Sequence, residues 1–300
     1  MLGISLSACV AAPSAPVDYN DTQIFDTGGC ELCNRKYINL SGQDLTGVDF
    51  SGYYLFNAKL TNAKLAHTNF RSTNLILAIL DRADANNANF KFSDLSQSTA
   101  RETNFREANF YFARGHSIDL DRTDLIKANL TGVSFSNVRI NHSFGLHAIL
   151  TSAQLIDSTG RHADFRFASA EKAKFTGSDF SNAKFTNSHL READFDGTTL
   201  AGVSFEYANL VGASFRGSDL TGAKFFGADL SYADFTDADL SAAQLASSNR
   251  FDTNFCNAKM PDGKTGKCLN PELEPEPAQQ AEAQPAADAD LGSTNDKDPI

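Results

Sequence analysis

The 300-residue sequence is short of the residues that carry chemistry: no tryptophan, two methionines, five cysteines and six histidines. No nucleophile–base–acid set can be read from it, so an enzyme is not expected and no cofactor is called for. A glycine-rich phosphate loop is missing as well, because the glycines follow a five-residue register instead. Acidity is concentrated in one place. The net charge is −11, yet residues 270–300 hold eight acids and one lysine, so the tail carries −7 and the rest only −4. That tail also holds five of the eight prolines and few large aliphatic residues, a composition that predicts a disordered acidic segment.

What is abundant is a period. Every fifth residue from Leu40 to Met260 gives 45 positions, of which 36 are Leu or Phe, with no insertion or deletion. The exceptions include Ala85, Ala100, Gly115, Gly145, Gly160, Ala170 and Arg250. Two places earlier the residue is nearly always Ala, Ser, Thr or Val, with Ile38, Gln43, Tyr53 and Ile118 as exceptions. The residue just before the large one is often Asp or Asn, as at Asn69, Asn89, Asn109 and Asn129. Neither the helical period of 3.6 nor the strand period of 2 fits. A small unit with two inward side chains, stacked repeatedly, does.

Four such units close a square coil of twenty residues, and surface charge tests this independently of the apolar pattern. Between residues 40 and 260, fifteen opposite-charge pairs lie twenty apart, against two like-charge pairs. At a spacing of fifteen the same count is eight against five. Stacked strands lie about 4.8 Å apart, where opposed like charges destabilise. Asp44–Lys64–Asp84, Asp81–Arg101–Asp121 and Asp196–Arg216 are such columns. About eleven coils would form a rod on the order of 50 Å long.

Runs such as LTGAKFFGADLSYADFTDADL carry an A(D/N)LxG-like unit that resembles the pentapeptide repeat family, over about three quarters of the chain. The resemblance implies an all-β fold, a right-handed quadrilateral β-helix with the Leu/Phe and the preceding small residue inside. It also raises a specific function. Some members of that family mimic duplex DNA and act on type II topoisomerases such as gyrase. Such a mimic needs a dense acidic face, whereas acids and bases here alternate along the columns; nucleic acid is not expected as a partner.

The ends suggest a location. Leu6-Ser7-Ala8-Cys9 resembles the lipobox of bacterial lipoproteins, in which the cysteine is acylated after signal cleavage. Only eight residues precede Cys9, with no Lys or Arg among them. Either a longer signal begins upstream of Met1 or the match is accidental. With Cys9 set aside, Cys30/Cys33 and Cys256/Cys268 are two local pairs at the two ends of the array. Disulfides need Cα atoms within about 7 Å, so on a long rod only these pairings are reasonable. They would lock two caps in an oxidising compartment. A redox use of Cys30-x-x-Cys33 lacks a visible helix start, and reduced cytoplasmic thiols are the alternative. The expected organisation is a signal segment (1–9), a tether (10–29), the repeat β-helix with its CxxC cap (30–260), a disulfide cap (261–269) and the tail (270–300).

Two surface constellations stand out. His142 and His162 are one coil apart, with His147 on the adjacent side, a candidate metal-binding or pH-sensitive patch whose plain reading is solvated surface. Phe92 and Phe112, beside Tyr111, form an outward aromatic pair of the kind that marks a partner contact. Gly115, Gly145, Gly160 and Ala170 predict a weakened core, with a groove or bulge, in the same middle region. The functional expectation is a non-catalytic structural or interaction protein in the bacterial periplasm or outer membrane, lipid-tethered, with a protein or envelope partner; the alternative location is the cytoplasm.

Overall fold

A computed structural model describes residues 37–269. Cys9, Cys30 and Cys33, the expected signal and tether, and the acidic tail from Asn270 lie outside the described residues. Each unit is built from local rules. In the unit Asn39-Leu40-Ser41-Gly42-Gln43, the Leu40 carbonyl accepts the Gln43 N–H at 3.2 Å, and Gly42 has φ +67°. Such a bond with positive φ at the third residue defines a type II turn, which favours glycine there. The Asn39 side chain accepts the Ser41 N–H at 3.1 Å, and Asp44 and Asp49 do the same for Thr46 and Ser51. This explains the Asp/Asn before each large residue: its oxygen satisfies a turn donor that the backbone leaves free.

Between turns the chain is extended and pairs in parallel with the residue twenty further on, from Asn39 with Lys59 to Asp239 with Lys259. Three short strands extend this pairing on one side: β1 (Arg114–His116), β2 (Ser134–Ser136) and β3 (Gln154–Ile156), in the order β1-β2-β3. The corner after β2 and that after β3 open differently. The Val138 and Ser158 N–H groups donate to the Ser158 and Ser178 hydroxyls of the following coil, at 3.0 and 2.9 Å.

The core is a set of columns. Phe50, Phe70, Phe90 and Phe110 stack ring on ring, with centroids 4.9–5.5 Å apart. Phe175, Phe195, Phe215, Phe235 and Phe255 form a second column at 4.8–5.2 Å. Inward hydroxyls are satisfied by main-chain oxygens; Thr73 Oγ1, for example, donates to the Phe50 carbonyl at 2.7 Å.

The expected weak middle is filled instead. A Cβ on Gly160 would lie 2.1 Å from the Phe180 ring, and one on Gly145 would lie 2.4 Å from Phe165. A Cβ on Gly115 would meet Ile118 Cδ1 at 2.3 Å. The missing side chain is therefore replaced by an oversized neighbour, from the next coil or from the same corner. Two of the irregularities, Gly115 and Ile118, are one exchange of volume.

The last coil is where the core stops. Arg250 occupies a large-residue position but is exposed, and Leu245, Phe255 and Met260 are only partly buried. Residues 261–269 turn back over it. Thr265 pairs antiparallel with Lys259, the Gly266 N–H donates to the Ala258 carbonyl at 2.7 Å, and Cys268 is bonded to Cys256.

Candidate functional site: the outer surface of the coils

From Leu55 to Ala243 every inward position is buried and committed to packing, so there the outward residues carry any specificity. His142 and His162 stack with centroids 5.0 Å apart and planes 10° from parallel. Around them Arg101, Arg122, Arg139 and Arg161 border a shallow, open depression. Each of these arginines already faces acid: Arg101 bridges Asp81 and Asp119, Arg122 meets Glu102, Arg139 also reaches Asp119, and Arg161 holds Asp179. His147 belongs elsewhere, stacked on Phe167 at 5.2 Å on a neighbouring corner. Among the described residues no group of three His, Cys, Asp or Glu side chains converges as a metal site requires.

Phe92 and Phe112 stack at 6.4 Å, Tyr111 meets Phe112 edge-on at 4.6 Å, and the Arg71 guanidinium lies 5.5 Å above the Phe92 ring. All three rings are exposed. Further rings belong to the same surface and escape a search at a spacing of twenty. Tyr207 meets Phe226, and Tyr232 meets Phe251, each at 5.5 Å and nearly perpendicular. Their spacing is nineteen, from the second turn residue to the first turn residue of the next coil. Phe144 and Ile149, on two adjacent sides, are exposed as well.

The charge columns follow the twenty-residue register with local departures. Lys64–Asp44, Arg114–Asp94 and Lys259–Asp239 pair as the spacing predicts, at 3.0–3.3 Å. Arg216 does not pair side chain to side chain with Asp196. Its backbone N–H donates to Asp196 Oδ1 at 2.9 Å, and its guanidinium reaches Asp234 on the adjacent side at 3.0 Å. The Asp196 oxygen is nearer to the main chain above it than to a long side chain that points away.

Burial pushes the carboxyls of Asp179 and Asp234 up, but hydrogen bonds from Ser181 and Thr236, and from Arg161 and Arg216, outweigh it and hold both below the ordinary value. A depressed folded value stabilises the fold above the unfolded pKa of about 3.9, and that contribution is lost as pH falls through the folded value. Thermal stability is therefore expected to be level from neutral pH to about pH 5 and to fall below about pH 4. In Asp179→Asn/Asp234→Asn the acid limb should be shallower, as read by melting temperature against pH; an unchanged limb would refute the assignment.

The repeat unit now decides the family. The pentapeptide repeats family matches in eight copies, over residues 54–91, 86–114, 117–143, 178–217 and 218–249, more than half of the chain. The chain belongs to the pentapeptide repeat family. Members of that family form right-handed quadrilateral β-helices and are in general structural or interaction proteins rather than enzymes, and the described residues of this pentapeptide repeat protein contain no helix.

Similar solved structures include HetL of the cyanobacterium Nostoc sp. strain PCC 7120, involved in heterocyst differentiation regulation. It is 26% identical over 78% of this chain and 93% of that one, with a TM-score of 0.27. A pentapeptide repeat protein of the Arabidopsis thaliana thylakoid lumen is 33% identical over 29% of this chain and 60% of its own, with a TM-score of 0.28. QnrB1, a plasmid-mediated fluoroquinolone resistance protein, is 20% identical over 58% and 88%, with a TM-score of 0.31. No curated protein matches the sequence.

Proposed function

We propose that this pentapeptide repeat protein is a non-catalytic scaffold, a rigid rod of about eleven coils exported and lipid-tethered through Cys9 to the bacterial cell envelope, with one side offered to a protein partner. The observation that carries the interaction reading is the uneven surface. Phe92, Phe112, Phe167, Tyr207, Phe226 and Tyr232 are exposed on the two corners that flank the Asn69–Asn89–Asn109–Asn129 column. Clustered exposed rings on an otherwise polar rod mark a contact surface. The lipobox-like Leu6-Ser7-Ala8-Cys9 and the bonded Cys256–Cys268 pair support export.

A duplex-DNA mimic acting on gyrase is the less favoured reading. Along this rod Asp44, Asp81, Asp94 and Asp119 each meet a base one coil on, which breaks up an acidic stripe. Fractionation of the native host with intact-mass analysis tests the proposal. Acylated Cys9 in the membrane fraction is the expected result, and recovery from the cytosol with five free thiols would overturn it.

A further inference from the structure

Most of the exposed rings gather on one side of the square, Tyr37 and Phe144 lying elsewhere, and the side opposite is different. There the column Thr99–Asp119–Arg139–Thr159–Asp179 carries acid–arginine pairs between polar residues. The aromatic side also has a charge gradient along its length. Its N-terminal half sets Arg71, Lys91, Arg106 and Lys127 against Asp49 and Glu107, a net +2, and its C-terminal half sets Glu171, Glu192, Glu206, Asp229 and Asp252 against Arg166, Lys172 and Arg191, a net −2. At its centre, on successive coils, are Leu146 and Ile149, then Phe167. A surface whose two halves carry opposite net charge is complementary to its own reverse.

We propose that a second copy of this chain covers this side, the two rods antiparallel about a two-fold axis lying in the contact plane and perpendicular to their length. The proposal rests on the interaction reading above and names its partner. Such an axis sets each corner against the same corner of the other copy and reverses the order of coils, so that every contact occurs twice.

The register follows from the residues. With the axis between the coil of Leu146 and the coil of Phe167, Arg106 opposes Glu206. Arg71 opposes the Phe251 ring beside Asp252, and Lys91 reaches Asp229, which opposes Asn89. Phe92 faces Tyr232, Phe112 faces Gly212, where no side chain obstructs the ring, and His147 faces Phe167. No two like charges are directly opposed. A slip of one coil toward the C-terminus sets Arg166, Glu171 and Lys172 each against its own copy. A slip the other way leaves Arg106 against Thr186. Only the central register gains the pairing without repulsion, and charge arrangement is what fixes register in such contacts. Arg106 also holds Asp124 within its own chain, so in the dimer this guanidinium is shared between two carboxylates.

The test uses the full chain with Cys9→Ser, so that no acyl group adds to association. Sedimentation equilibrium should show a dimer. Glu206→Arg should weaken it by about tenfold, and Arg106→Glu/Glu206→Arg, which reverses the pair, should return it to within about threefold of the parent. Zero-length coupling should join Lys91 to Asp229. These residues are seven coils apart in one chain, roughly 34 Å at the strand spacing, so that link can form only between copies. Circular dichroism confirms that each variant is folded. A folded chain that stays monomeric at every concentration would overturn the proposal, as would a dimer indifferent to Glu206→Arg. A monomeric Cys9→Ser chain whose parent is recovered from the membrane with Cys9 acylated would overturn the dimer and leave the tethered scaffold standing.

Discussion

Replacing Phe195 by alanine is expected to cost about 3–5 kcal/mol and to break the rod at its C-terminal half. The ring is fully buried. It stacks between Phe175 at 4.8 Å and Phe215 at 5.1 Å, and meets Phe185 and Phe205 edge-on at 6.0 and 5.5 Å. Coils on both sides are held in register by their own backbone bonds, so the structure cannot collapse into the space, and most of the ring volume remains as a cavity. A repeat rod is stabilised by contacts between neighbouring coils, so the loss should appear as separated unfolding of two segments rather than a shifted single transition. Urea unfolding followed by circular dichroism reads this; a loss below about 1 kcal/mol would contradict the stacked-column account. Phe195→Leu should lose less, since most columns already use leucine.

Restoring the repeat pattern at Gly160 is expected to harm the protein. Leucine is the residue that the five-residue period calls for, yet the Phe180 ring already occupies that space, with Cε1 2.1 Å from where a Cβ would be. Overpacking of this kind costs about 1–3 kcal/mol, and leucine at a site without room for a Cβ belongs at the upper end. Phe180→Ala alone should cost about 3–5 kcal/mol. Combined, the two changes exchange volume between adjacent coils, and the double variant should be more stable than the sum of the single effects by at least about 1 kcal/mol. Additive losses in equilibrium unfolding would show that the two positions do not share one space.

Much of this was legible in the order of residues because a solenoid makes sequence distance equal to spatial distance. Leu40 lies one coil from Leu60, and that relation holds without interruption to Met260, so charge counting at a spacing of twenty finds neighbours as a contact map would. The departures share a cause: they depend on where long side chains lean. The Arg216 guanidinium bonds Asp234 rather than Asp196, and Tyr207 meets Phe226 at a spacing of nineteen. A column register locates a Cα; it does not say which of two adjacent columns a long side chain will reach.

The sequence by itself determined the coil, the inward and outward faces and the charge columns, because each follows from a five-residue unit and the requirement to bury its large side chain. Only the tertiary structure decided that Gly115, Gly145 and Gly160 leave no voids, that the corners after β2 and β3 are closed by hydroxyls from the following coil, and that most of the exposed rings flank one side of the square. Those outcomes turn on rotamers and on volume shared between coils. A glycine reads as a deficit in a linear period and becomes a complement once the ring above it is seen to lie down into its space.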